Sequence, residues 1–300
     1  MPGLSDYAAS AGLAWAAGVT PVPSIAARYL ALFTAMPNDS GSGGTEASGG
    51  SYARVQIAGT VTVSGSSGAP STSAATITLS ANVPAWVAAL GTNGSGCNVY
   101  DVTGSKQLGT ISAAPSSGAT ITLTGNASNN GSLSDTLLIS AFPAATIAAG
   151  SEPATAPAYT QNGAQITFAQ ASATWGTIIG IGVYDALTTG NLLQFDYLGN
   201  YKWLPFSCTS ASPGVLTAPA HSFSNSDPVV VSAKFGGTLP TTGGSWSGVL
   251  TVANSTTDTF TAGVNTTGTG DGMVRKIVQQ ATVTNGTLYF AAASLVLSSA

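Results

Sequence analysis

The feature that most constrains this chain is a texture that repeats from about residue 55 onward. Segments such as "ARVQIAGTVTVSG" (53–65), "AATITLSA" (74–81), "CNVYDVTG" (97–104), "GATITLTG" (118–125), "GIGVYDAL" (180–187) and "DPVVVSAKF" (227–235) alternate β-branched or aromatic residues with Thr, Ser or other small residues. Gly, Asn or Pro bounds most of them. A period of two sends alternate side chains to opposite faces, the pattern of a half-buried strand. Many short strands separated by turn formers lead to sandwiches or barrels, so the expected fold class is all-β.

One helical pattern interrupts this. Ser5 and Asp6 are good cap residues, and Tyr7, Ala8, Ala11 and Trp15 make one apolar face before Gly18 and the Pro21/Pro23 pair stop the helix. The run "RYLALFTAMP" then has strand length and ends in a Pro-Asn-Asp turn. Two stretches, "NVYDVTGSKQLG" (98–109) and "GVYDALTTGNLLQ" (182–194), echo one another, each a strand running into an Asp-initiated turn. The spacing between echoes is irregular, which excludes a solenoid reading.

Only 6% of residues are charged, against about 25% in an ordinary globular domain, while 44% are hydrophobic. Such a chain folds, but it presents a surface of hydroxyls and amides that is poorly protected against self-association. The favoured reading is a subunit whose surface is largely covered in an assembly, over a weakly charged secreted domain. Seven Lys and Arg, dispersed in a chain of net charge −4, argue against nucleic-acid binding, which needs clustered cations. Cys97 and Cys208 are read as buried free thiols. The first residues lack the cationic region of a secretory signal, and no apolar run approaches the ~20 residues of a membrane helix, so no membrane insertion is expected.

A search for chemistry returns little. The single histidine, His221, is read as a solvated loop residue; a triad with Asp227 would lack the G-x-S-x-G elbow. No spacing supplies a metal shell, and "GTGDG" (268–272) is read as a turn because it lacks the Lys and Ser/Thr of a phosphate loop. Asp185 and Asp196 are candidate acids for glycoside hydrolysis, but nothing in the sequence sets their separation. No catalytic, cofactor-binding or metal residue is assigned, and the chain is expected not to be an enzyme.

The stretch "YLALFTAMPNDSGSGGTEASGGSYAR" (29–54) resembles the N-terminal signature of a family of tailed-bacteriophage structural proteins, described as tail fibre or minor tail proteins. A second block, "ITFAQASATWGTIIGIGVYDALTTGNLLQF" (166–195), and a weaker third, "VQQATVTNGTLYFAAASLVLSS" (278–299), are similar to later parts of that family. The resemblance implies a small β-sandwich base from 1–56, 156–204 and 276–300. Two inserted β modules, 57–155 and 205–275, would project from its loops; composition alone marks a Pro/Ala linker or extended edge at 151–160 and breaks at 205–214 and 264–273. "HSFSNSDPVVVSAKFGGTLPTTGG" is itself similar to a small β module that recurs in phage tail proteins.

The function implied is a virion structural protein, a tail fibre or tail-associated subunit that mediates assembly, with host contact as a candidate role. A capsid decoration or head-fibre protein and a tailspike-type polysaccharide depolymerase are the alternatives. The expected partners are further copies of the chain, as a homotrimer, and other virion proteins assembled in the host cytoplasm, with a host surface glycan as a candidate ligand.

Within the first block, "GTEASGGSYAR" (44–54) sets Glu46 and Arg54 around a Gly-Gly pair that permits positive φ. Arg54 would enter the sheet beside Tyr52 and fork onto a carboxylate, Glu46 or Asp185, locking a loop by charge. The alternative is a solvated turn. Trp175 and Tyr184 are read as core anchors in preference to a sugar platform, and Trp246 as a candidate surface sugar contact or an ordinary turn residue.

Overall fold

A computed structural model describes residues 3–19, 27–113, 118–143, 159–199, 203–233, 238–241 and 245–298. The chain opens with β1 (Gly3–Leu4), α1 (Asp6–Ala16), β2 (Ala27–Ala35), β3 (Thr45–Glu46) and β4 (Val55–Thr62). Next come β5 (Thr76–Thr78), a single-turn α2 (Ala85–Ala88), β6 (Asn98–Asp101), β7 (Lys106–Ala113), β8 (Thr120–Leu123) and β9 (Thr136–Ser140). The middle holds β10 (Tyr159–Gln161), β11 (Ile166–Thr167), β12 (Thr177–Ile178), β13 (Gly180–Tyr184) and β14 (Leu192–Tyr197). Then follow β15 (Leu204–Cys208), β16 (Val215–Thr217), β17 (Pro228–Ser232), β18 (Leu250–Thr251), β19 (Thr259–Thr261) and β20 (Gly270–Lys276). The last elements are β21 (Gln280–Ala281), β22 (Tyr289–Phe290) and β23 (Val296–Ser298). The fold is all-β with a short N-terminal helix, as the alternating pattern predicts.

An 11-stranded sheet runs in the order β1-β14-β13-β2-β4-β9-β6-β7-β8-β5, with β3 beside β2. The boundary placed between residues 56 and 57 falls inside β4. Beyond it, β9 adds to β4 and β6 to β9 by antiparallel ladders, and one core containing Leu30, Leu32, Ile57, Ile77, Ile139 and Ile181 underlies both regions. The region 57–155 thus continues the base sheet among its described residues. The linker stretch 151–160 lies outside the described residues up to 158, and its last two residues pair in β10. The C-terminal segment lies along 159–178 as three short ladders, β10–β23, β11–β22 and β12–β21.

A second sheet of six strands, β18-β17-β20-β15-β16-β19, has its own core of Phe206, Leu216, Val229, Phe260 and Val274. The boundaries expected at 204/205 and 275/276 fall at the first residue of β15 and the last of β20. Two smaller expectations are corrected: 205–208 is strand, and "GTGDG" runs into β20, because Gly270 and Gly272 pair with Cys208 and Phe206. Cys97 and Cys208 are buried and unbonded to one another, and burial pushes the Cys97 thiol up to about 12.

Between β14 and β2, third from one edge of the large sheet, lies β13, in which all five residues are buried. Period two sends Ile181 and Val183 into the main core, while Gly180 and Gly182 face the other way. A Cβ on Gly180 would sit 2.7 Å from the Asp196 carbonyl oxygen, and one on Gly182 would sit 2.6 Å from the Phe33 ring. The glycines are needed because Phe33, Met36 and Leu192 close over that face. Gly180→Ala is expected to cost about 1–3 kcal/mol, since a neighbouring backbone must move. Thermal unfolding followed by circular dichroism checks this, and an unchanged melting temperature would contradict the packing described.

Candidate functional site

The best-defined polar constellation is built by the loop between β3 and β4. Gly49, Gly50 and Ser51 all have positive φ, at 72°, 51° and 67°, which reverses the chain tightly enough to bring Arg54 back beside Glu46. Gly50 is fixed from outside: the Trp175 indole N–H and the Ser172 amide both donate to its carbonyl, at 2.9 and 2.8 Å. A Cβ there would lie 2.5 Å from the Ala173 carbonyl oxygen.

Arg54 Nε and Nη2 donate to Glu46 Oε1 and Oε2 at 2.9 and 2.7 Å, a two-pronged ion pair. Its Nη1 donates to the carbonyls of Ala186 and Thr189, at 2.9 and 2.6 Å, in the loop after β13. The guanidinium carbon lies 3.5 Å from the centre of the Tyr184 ring. Tyr52 completes the arrangement, donating its hydroxyl to Glu46 Oε1 and accepting from the Leu32 amide, both at 2.9 Å. Burial pushes the Tyr52 phenol up and holds it as a donor. Burial works against the Arg54 charge, but the Glu46 bonds outweigh it and keep the guanidinium above its ordinary range.

The sequence left Glu46 and Asp185 open as the partner of Arg54, and Glu46 takes the place. Asp185 instead closes its own turn, accepting from the Asn191 amide at 2.7 Å and from its side-chain nitrogen at 2.8 Å. Arg54 and Asp185 therefore fix the same 185–191 loop from two sides. Trp175 is 4% exposed and meets Tyr52 edge-on at 5.4 Å, with Phe168 stacked on Tyr52 at 6.2 Å. Tyr184 lies 6.4 Å from Phe33. These rings wall the clamp from below.

Trp246 is a correction. It is 9% exposed, its indole N–H donates to the Pro240 carbonyl at 2.9 Å, and it packs on Phe206. The hydrophobic ring fills the second core and offers no face to a sugar. His221 is another: it is buried between Phe223 and Phe260, and its Nδ1 accepts from the Phe223 amide at 2.9 Å.

Sequence reasoning missed a second ion pair. Arg275 on β20 donates to Asp196 on β14 at 2.5 Å and to the Tyr197 carbonyl at 2.9 Å, and side chains of both ions are at most 5% exposed. It ties the six-stranded sheet to the large one beside Ile179, Val230 and Ile277. The available signal was an Arg inside the apolar strand "GMVRKIV".

The clamp is a structural lock. Losing Arg54 leaves Glu46 with only the Tyr52 hydroxyl and takes a donor from two carbonyls, a cost of about 2–4 kcal/mol, between exposed and fully buried pairs. Arg54→Ala is therefore expected to lower the melting temperature by several degrees. Arg54→Lys should restore less than half of the loss, because a lysine neither forks onto a carboxylate nor stacks on Tyr184. Equal melting temperatures for wild type and Arg54→Ala would show a solvated turn instead.

Residues 3–100 and 108–204 match the family described as Podophage GP4 fiber I protein gp80. That span contains the clamp, the glycine-lined strand β13 and Trp175. No curated protein and no solved structure matches the chain. A match over most of the chain, including the sheet and its clamp, identifies this protein as a member of that podophage fibre family.

Proposed function

We propose that this phage virion structural protein is a non-enzymatic, tail-associated fibre subunit that works through permanent contacts with copies of itself and other virion proteins. The observation that carries the reading is the family match over residues 3–204, together with a polar constellation whose groups are all committed to holding loops. Glu46, Arg54 and Tyr52 bond to one another and to backbone, which leaves no free nucleophile or proton carrier at that site.

The two acids a depolymerase reading would use have other duties. Asp185 holds Asn191, and Asp196 holds Arg275. Retaining or inverting glycosidases need a pair of carboxyls facing an open cleft, one of them free to carry a proton. This arrangement favours assembly over hydrolysis. Host contact, in this reading, falls to hydroxyl and amide loops of the six-stranded sheet, such as Asn254, Ser255 and Thr256, since its aromatic side chains Trp246 and Phe223 are buried.

Quantitative mass spectrometry of purified particles tests the placement on the tail. A tail fibre is expected at roughly a few per cent of the major capsid protein, as a closed symmetric oligomer at one vertex. A ratio near one, or of about one-third, would overturn it in favour of capsid decoration. Incubation with host polysaccharide should release no reducing ends; release would overturn the non-enzymatic reading.

A further inference from the structure

Two uncovered apolar surfaces stand out, one convex and one concave. The convex one is α1. Ser5 caps it, accepting from the Ala8 amide, and binds the Leu192 carbonyl through its hydroxyl, so the helix start is pinned to β14. Yet no residue of α1 is buried, so the apolar face expected from the sequence is uncovered. Tyr7, Leu13 and Trp15 are 52%, 72% and 53% exposed, and the segment from 7 to 19 carries no charge. A helix apolar around most of its circumference is normally a buried helix, so this one lacks its cover.

The concave surface is a groove of about 790 Å³ between the end of β14 and the C-terminal segment. Leu198, Val278, Val283, Leu288, Tyr289 and Phe290 supply its apolar wall, and among the described residues none that lines it is charged. Val283 and Tyr289 are 63% and 57% exposed. The segment forming one side, 280–290, is held by ladders of two residues each and by backbone bonds between Ala171 and both Asn285 and Gly286. An uncharged groove disfavours a charged occupant, which would lose its hydration without gaining a partner.

The two surfaces sit at opposite ends of one strand. α1 is anchored at Leu192 and Leu193, whereas the groove begins at Tyr197 and Leu198. Five residues of extended chain separate these points by roughly 17 Å. No α1 residue lines the groove of its own chain. A surface at one end that fits a surface at the other is the geometry of a head-to-tail contact, which closes into a ring when the rotation allows.

We infer that α1 of one copy docks in the groove of a neighbouring copy, so that Tyr7 and Trp15, on one face of the helix, pack against Val283 and Tyr289 in a head-to-tail oligomer. This rests on the self-assembly part of the function proposed above. The contact is a helix laid in an apolar groove, in which a few large anchors carry most of the affinity.

Sedimentation velocity of the full chain at micromolar concentration tests it. The wild type is expected as an oligomer. A helix variant, Tyr7→Glu with Trp15→Glu, and a groove variant, Val283→Glu with Tyr289→Glu, should each be monomeric, with self-affinity weakened at least about 100-fold. All four positions are exposed, so circular dichroism should report unchanged folding. The deciding arm mixes the two variants. Each keeps one intact surface, so a head-to-tail contact yields a one-to-one heterodimer that stops there. A wild-type oligomer that both variants preserve would overturn this contact while leaving self-assembly standing. Monomeric wild type, or variants that are monomeric but fail to pair when mixed, would overturn it as well.

Discussion

The guanidinium of Arg54 is the interaction on which the rest of the base depends. In a chain with few charges, it gathers a carboxylate, two backbone carbonyls and an aromatic face around one planar cation. Those groups come from β3, the loop after β13 and the strand β13 itself. Arginine suits this position because its donors lie in a fixed plane and its charge persists when buried. The cation thus holds in one arrangement two loops that short, glycine-rich sequence would otherwise leave with many conformations.

The lock sits where the sheet is least able to give. Strand β13 is covered on both faces, with Gly180 and Gly182 under Met36 and Phe33, and Tyr184 at its end forms the floor of the clamp. The same sheet edge continues through β14 to Asp196, where Arg275 repeats the device and attaches the six-stranded sheet. Each ion pair costs desolvation, and each is compensated by close contacts to backbone and aromatic groups. Outside these places the described surface is largely hydroxyl, amide and apolar. Such a surface is suited to being covered by neighbours.

Much of this was legible in the sequence for physical reasons. Period two in "ATITL" and "GIGVY" forces strands, and the Gly-Gly pair between Glu46 and Arg54 permits the tight reversal that brings the ions together. What was not legible depends on distant chain. Nothing local distinguishes Glu46 from Asp185 as the partner of Arg54; the choice follows from Asn191 claiming Asp185. Trp246, in a Gly/Ser-rich context, looks like an exposed tip, but Pro240 and Phe206 bury it. His221 likewise sits in a polar stretch and is buried by Phe223 and Phe260. The continuation of the base sheet into 57–155 rests on β4 pairing with β9, a contact across more than seventy residues that no local pattern encodes.

The most direct test of the lock is a double-mutant cycle on Glu46→Ala and Arg54→Ala, read as unfolding free energy in urea. Residues that act through one another give non-additive losses. The clamp predicts that the double variant loses little more than Arg54→Ala alone, a coupling of about 1–3 kcal/mol. Strictly additive losses would mean that the two charges act independently, and that the loops are held by packing without the ion pair.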